Sequence, residues 1–108
     1  MLTDKIAVLN LAKNQIGDDG VLNLMRAVKL CRSLVVLNIS SNEISGNGFI
    51  PVFEAMQHQE SINYLDISTH DGANRNRMNK KSGKAFYQML ISNRFLEHLI
   101  MLGVNLGN

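Results

Sequence analysis

The sequence repeats one pattern of aliphatic residues at intervals of 28 residues. The pattern starts at Ile6, at Leu34 and at Ile62, with aliphatic residues in its first, fourth and sixth places. The full set is Ile6, Leu9 and Leu11, then Leu34, Leu37 and Ile39, then Ile62, Leu65 and Ile67. A unit this short cannot bury its own apolar face, so successive units are expected to stack on one another. The repeat therefore favours a binding surface over a catalytic pocket.

Each unit opens with the pattern of a short strand. Alternating apolar residues, such as Leu9 and Leu11, are typical of a strand with one buried face. An asparagine follows at the ninth place of the first two units, as Asn14 and Asn42. A buried asparagine at a sharp bend can satisfy backbone groups that have lost their strand partners. We therefore expect these asparagines to be structural and to form a continuous series of hydrogen bonds between stacked units.

Apolar residues at helical spacing follow each asparagine. They are Val21, Leu24, Ala27 and Val28 in the first unit, and Phe49, Val52, Ala55 and Met56 in the second. This spacing predicts one amphipathic helix in each unit. Each unit is therefore expected to contain one strand and one helix.

The third unit departs from the regular length. His70 stands where asparagine is expected, whereas Asn76 lies 34 residues after Asn42, six more than the repeat interval. This shift also restores the helix pattern that follows, so we predict an insertion of six residues within residues 68–75. Asn76 then takes the structural turn position of its unit. The fourth unit starts near Leu96 and has Val104 in the asparagine position.

The spacing of these residues resembles that of the leucine-rich repeat, and a strand with a full helix in 28 residues is similar to the ribonuclease-inhibitor-like subclass. The resemblance implies an α/β right-handed solenoid, a horseshoe segment with parallel strands on the concave side and helices on the convex side. We expect one domain over residues 1–108, with about three and a half repeats that start near residues 6, 34, 62 and 96. Neither end carries an obvious cap, so we expect a fragment of a longer solenoid, and two copies could associate through their uncapped ends.

The concave side of such a solenoid presents the strand residues that point away from the core. One predicted column across the strands reads Val8, Val36, Tyr64 and His98, and the next contains Asn38 and Asp66. Exposed sheet positions are usually polar, so an apolar and aromatic column indicates a contact site. We predict that a protein partner binds there, with Tyr64 and His98 as anchors. The alternative is that valine occupies the column only for its strand preference.

A basic segment forms a second candidate surface. Residues 75–84 contain no acidic residue and carry Arg75, Arg77, Lys80, Lys81 and Lys84, although the whole chain has 11 basic and 9 acidic residues. This asymmetry predicts a local positive patch. The patch precedes a helix that Ser82 could cap, where unpaired N–H groups favour an anion. No aromatic residue lies between these charges, so nucleic acid is not an expected partner, and the alternative is that the charges are simply solvated.

Neither catalysis nor metal binding is predicted. Histidines 58, 70 and 98 lack the close spacing of zinc ligands, and the sequence has no phosphate loop, serine elbow or dinucleotide fingerprint. We therefore expect no enzyme activity, no cofactor and no metal. Cys31 is the single cysteine, and no apolar stretch has the length of a membrane span, so we expect an intracellular, cytoplasmic protein away from the membrane.

Two more specific resemblances remain as alternatives. From Leu34 onward, the regular unit, the lengthened turn after the next strand and the following helix are similar to the tropomodulin C-terminal domain. That resemblance would imply binding to the ends of actin filaments. A GTPase-activating repeat protein of the Ran type would supply an arginine or asparagine from a loop, and Arg75 and Arg77 are available for this role.

Overall fold

Strands and helices alternate in the computed structural model, which describes residues 6–70 and 74–104. Within these residues the strands are β1 (Val8–Asn10), β2 (Val36–Asn38), β3 (Tyr64–Asp66) and β4 (His98–Ile100), and the helices are α1 (Gly17–Val28), α2 (Gly46–His58) and α3 (Lys80–Ser92). The strands form one parallel sheet in the order β1-β2-β3-β4. The prediction of a strand–helix solenoid is therefore confirmed. Among the described residues, no helix combines the length and hydrophobicity that crossing a membrane requires.

The strand register follows the sequence repeat. Leu9 pairs with Leu37, Leu37 with Leu65, and Leu65 with Leu99. Leu37 and Leu65 are completely buried, whereas the two outer leucines are partly buried against the same core. The four leucines thus form one apolar row across the sheet.

Side chains of the helices complete the hydrophobic core together with this row of leucines. Phe49 and Phe53 of α2 stack with their ring centroids 5.6 Å apart, and Phe86 of α3 packs on Phe53 at 5.2 Å. Both phenylalanines of α2 are completely buried. Helix α2 is the most enclosed because it contacts a helix on each side.

The start of α2 requires small residues because the neighbouring units approach it closely. Ser45 is the N-cap of α2, and its backbone N–H and hydroxyl both donate to the carboxylate of Asp18 in the preceding unit. A Cβ on Gly48 would collide with that carboxylate, and a Cβ on Gly46 would collide with Asn79, the N-cap of α3. Absence of a side chain at both glycines therefore lets the capping groups of adjacent units reach α2.

Asparagine side chains link the turns that follow the strands. Asn42 Oδ1 accepts hydrogen bonds from the backbone N–H groups of Asn14 and Ile16 at 2.9 and 3.2 Å, and Asn42 Nδ2 donates to the carbonyl of Leu11 at 2.8 Å. Asn42 is completely buried, whereas Asn14 is exposed. Asn42 therefore satisfies backbone groups of the unit before its own.

Asn76 makes the same contacts one unit later. Its Oδ1 accepts from the N–H groups of Asn42 and Ile44 at 2.9 and 3.1 Å, and its Nδ2 donates to the carbonyl of Ile39 at 3.0 Å. Residues 67–79 connect β3 to α3, whereas residues 39–45 connect β2 to α2, so the third connection is six residues longer. Residues 71–73 of the predicted insertion lie outside the described residues.

The asparagine series changes at Val104. The N–H of Met78 is equivalent to that of Ile44, and it donates to the backbone carbonyl of Val104 at 2.8 Å. The N–H of Asn76 is bonded to the hydroxyl of Thr69 at 2.8 Å. A backbone carbonyl and a hydroxyl thus replace the amide that valine cannot supply.

A second series of side-chain amides joins the units where helices return to strands. Gln59 is 2% exposed, and its Nε2 donates to the carbonyls of Val28 and Cys31 at 2.9 and 2.6 Å. Its Oε1 accepts from the N–H of Ile62 at 3.0 Å. Asn93 repeats this arrangement, since its Nδ2 donates to the carbonyl of Met56 at 2.6 Å. Side-chain amides therefore join neighbouring units by hydrogen bonds both at the turns after the strands and where the helices return to strands.

Candidate protein-binding face

The predicted concave column lies in register across all four strands. Val8 pairs with Val36, Val36 with Tyr64, and Tyr64 with His98. Val8 and His98 are exposed, and Val36 and Tyr64 are half-buried. The rings of Tyr64 and His98 lie with their centroids 5.8 Å apart at an interplanar angle of 44°. We call these four residues the concave column.

The adjacent column is polar in the first three strands and ends with Ile100 in β4. The Oδ1 atoms of Asn10, Asn38 and Asp66 accept from the backbone N–H two residues later at 3.1, 3.0 and 3.0 Å. Such a bond satisfies a backbone N–H group locally, beside the backbone bonds that continue between the units. Each of the first three strands ends at the residue that makes this bond, whereas β4 ends at Ile100 without one.

Asp66 presents little surface to a partner. It is 6% exposed, its Oδ1 accepts from Ser68 N–H, and its Oδ2 lies 3.3 Å from His70 Nε2. His70 is the more accessible member of this pair. Sequence reasoning missed His70 as part of the face, although its position four residues after Asp66 was the available signal. Asn38, by contrast, is half-buried and keeps part of its surface open.

The five basic residues are all exposed. Arg75 and Arg77 lie in the connection between β3 and α3, and Lys80, Lys81 and Lys84 lie in the first turns of α3. Within the described ranges, none of the five forms an ion pair with a carboxylate. Their charges are therefore presented to solvent.

The start of α3 is capped internally. Asn79 is the N-cap, and its Oδ1 accepts from the N–H of Ser82 at 3.0 Å, while the Ser82 hydroxyl accepts from the N–H of Asn79 at 2.8 Å. Ser82 thus closes a capping box and is not itself the cap that its position predicted. An anion at this helix start would have to compete with Asn79, so the side-chain charges are the main attraction for one.

The described part of the chain offers no cluster suited to a metal. No group of three or more histidine, cysteine, aspartate or glutamate side chains is placed to hold an ion among residues 6–70 and 74–104. The candidate surfaces are an apolar and aromatic column, a neighbouring column that is polar in its first three strands, and a separate basic segment.

Comparisons with known proteins agree with this architecture. The leucine-rich-repeat family model matches residues 5–25 and 30–52. No curated protein gives a significant match. A solved structure described as "Leiomodin-1 Actin-Binding Site 2 (ABS2)" is similar to the chain with a TM-score of 0.75 and 20% sequence identity. The match covers 88% of this chain and 53% of that one, so the chain spans about half the length of its structural relative. The chain therefore has the strand–helix fold of leucine-rich-repeat proteins, and the family model matches its first two units.

Proposed function

We propose that the chain is a protein-interaction module that binds a protein partner through the concave column. The observation that carries this proposal is the register that brings Val8, Val36, Tyr64 and His98 into one line across four strands. An apolar and aromatic line on an exposed sheet face is the type of surface that binding partners cover. The strands hold the backbone of these four residues in place. Ordering this face on binding would therefore cost little conformational entropy.

Tyr64 and His98 supply the anchors of the proposed contact. Tyrosine is enriched among the interface residues that dominate binding energy, because its ring buries a large area and its hydroxyl can find a polar partner. The His98 ring supports the Tyr64 ring from the neighbouring strand, with centroids 5.8 Å apart. His70 and Asn38 lie beside this pair in the role of polar contacts. Asp66 adds charge to the face but little area.

The basic segment serves as a secondary contact for an acidic partner. Exposed charges act mainly on the rate of association, and salt screens them. Reversing Lys80, Lys81 and Lys84 to glutamate should therefore slow binding at low ionic strength more than it changes the rate of dissociation. Its effect should fade as salt is added.

Replacing both Tyr64 and His98 with alanine should weaken partner binding by about thirtyfold or more, since loss of an interface anchor costs about 2 kcal/mol. The double variant Leu30→Ala/His58→Ala is a matched control, because it removes a large apolar residue and a histidine that are exposed outside the concave column. Quantitative affinity capture from the source cells compares the proteins retained by wild type, variant and control. The proposal requires proteins that wild type and control retain and the Tyr64/His98 variant loses. Equal capture by all three, with loss only on charge reversal of the lysines, would assign binding to the basic segment instead.

Binding to actin filament ends is a second candidate function. It is supported by the likeness to the leiomodin actin-binding structure, which at 20% identity is a likeness of fold. Purified actin tests it directly, through co-sedimentation and through the rate of pointed-end elongation. An actin-binding chain would slow elongation in proportion to its concentration, and the Tyr64→Ala/His98→Ala variant would slow it less. Unchanged elongation and no co-sedimentation would remove this candidate while leaving the proposed concave contact open to other proteins.

A further inference from the structure

A groove lies between α1 and α2, the first pair of helices. Its volume is about 480 Å³, which falls within the range of roughly 300 to 1,000 Å³ that is typical of ligand sites. Its floor contains Met25 and Ala55, which are 2% and 4% exposed, and the more accessible Leu22 and Pro51 lie at its edges. The groove is formed by α1, by its C-cap Lys29 and by α2, all of which lie within the described residues. We call this feature the α1–α2 groove.

Small side chains leave this groove open. In the repeat register, Met25 and Ala55 are equivalent to Phe53 and Met89 one unit later. Phe53 and Met89 are completely buried, and the Phe53 ring packs on Phe86 with the centroids 5.2 Å apart. Alanine is much smaller than methionine, so the contact between α1 and α2 lacks the volume that fills the equivalent place between α2 and α3. A depression therefore remains between the first two helices.

The rim of the groove on the α1 side is positively charged. Arg26 and Lys29 are exposed there, and in the described part of the chain neither forms an ion pair with a carboxylate. The Arg26 guanidinium donates to the neutral amide oxygen of Asn23 at 3.3 Å. On the α2 side, Glu54 is the carboxylate that lines the groove. The two cations outnumber this one anion, so the charge of the groove is complementary to an acidic occupant.

The shape of the groove favours a helix as its occupant. Its lining on α1 runs from Leu22 to Lys29, which is about 10 Å along the helix axis, or about two turns. Two neighbouring helices form a straight trough, and an amphipathic helix binds such a trough through apolar residues that recur at each turn. The groove is long enough to hold two such residues in succession.

We propose that the α1–α2 groove binds an acidic amphipathic helix of a partner protein. In this contact, apolar side chains one turn apart pack on Leu22 and Pro51, and carboxylates of the bound helix lie beside Arg26 and Lys29. Met25 beneath them has a flexible side chain that adapts to the shape of what it contacts. The contact is separate from the concave column, because none of its residues belongs to the sheet.

Differential selection of helical peptides tests the occupant. A display library has leucine at positions i, i+3, i+4 and i+7 and random residues elsewhere. It is selected for binding to the wild-type chain and against binding to Met25→Phe/Ala55→Met, which copies the residues of the α2–α3 contact and fills the groove without changing its charge. The recovered peptides should carry glutamate or aspartate beside the leucines, and the filled variant should bind them at least about tenfold more weakly. Recovery of basic peptides, or of none, would overturn the proposal.

Charge variants test the same contact at exposed residues, and they decide the matter if circular dichroism shows that the filled variant unfolds. Arg26→Glu/Lys29→Glu should weaken binding of the acidic peptide by about tenfold, as loss of two exposed ion pairs predicts. The same variant should bind more tightly a peptide that has lysine in place of the acidic residues.

Glu54→Lys should tighten binding of the acidic peptide severalfold, a gain that a misfolded protein could not give. Arg94→Glu is the control, because it reverses an exposed charge outside the groove and should leave the affinity unchanged. Fluorescence anisotropy with the labelled peptide measures each dissociation constant. Equal weakening by Arg94→Glu and by Lys29→Glu would show that only net charge matters, and absence of a gain in Glu54→Lys would show that the peptide lies elsewhere. Either result would overturn the proposal.

Discussion

Phe53→Ala is expected to lower the free energy of unfolding by about 4 kcal/mol, because removal of a buried phenylalanine forfeits its transfer free energy and leaves a cavity. Phe53 is completely buried, and its ring contacts both Phe49 within α2 and Phe86 in α3. The lost ring therefore lies at the junction of two units, and the packing of both should suffer. Urea unfolding followed by circular dichroism measures the change.

Tyr87→Ala provides the control for Phe53→Ala. Tyr87 occupies the equivalent place one unit later and is 59% exposed. Its replacement should change the free energy of unfolding by less than about 0.5 kcal/mol. Equal losses for the two variants would mean that burial at this place does not set the cost, and the packing account of Phe53 would be wrong.

Asn76→Ala is expected to cost about 3 to 5 kcal/mol, since each buried backbone group left without a hydrogen bond costs about 1 to 3 kcal/mol. The substitution removes the acceptor for the N–H groups of Asn42 and Ile44 and the donor to the carbonyl of Ile39. These groups are buried, so water cannot replace the amide without opening the turn. The free energy of unfolding in urea again gives the magnitude.

Asn14→Ala separates the inter-unit role of these asparagines from their local role. The side chain of Asn14 donates to the carbonyls of Leu11 and Ala12 in its own turn, at an exposed position. Its loss should cost about 1 kcal/mol or less, the net contribution of an ordinary hydrogen bond. A loss at Asn14 as large as that at Asn76 would show that the local turn carries the stability and that the links between units contribute little.

The repeat interval predicted most of the sheet because a constant spacing fixes which residues become neighbours. The 28-residue steps place Val8, Val36 and Tyr64 in line, and the shift of six residues in the third unit aligns His98 with them. The same shift brings Asn76 to the position where it bonds Asn42. Periodicity therefore predicted both the register and the place of the candidate face.

The links at the helix-to-strand corners could not be recognised from periodicity. Cys31, Gln59 and Asn93 stand at equivalent places but share no side-chain type. The side-chain amides of a glutamine and an asparagine both donate to backbone carbonyls of the preceding unit. No single residue type therefore recurs at this place in the sequence. The three positions share only their spacing in the repeat. That spacing becomes informative only when the end of each helix is known.

The exposure of individual site residues also depended on contacts outside the repeat pattern. Asp66 shares a register with Asn38 and makes the same bond to the N–H two residues later, yet only Asp66 also lies beside a histidine, His70. The helix cap assigned to Ser82 falls to Asn79 because the amide and the hydroxyl bond each other's backbone. Local hydrogen bonds thus decided how much of each side chain a partner can reach, whereas the repeat decided only on which face it lies.

Methyl–methyl nuclear Overhauser effects among the core leucines test the stacking of the units most directly. Adjacent parallel strands lie about 4.8 Å apart, so leucines two strands apart are separated by roughly twice that distance. In methyl-labelled monomeric protein, Leu65 should show cross-peaks to both Leu37 and Leu99, and Leu37 should show none to Leu99. Absence of cross-peaks from Leu65 to both neighbours would contradict the stacked arrangement, and with it the concave column that the arrangement creates.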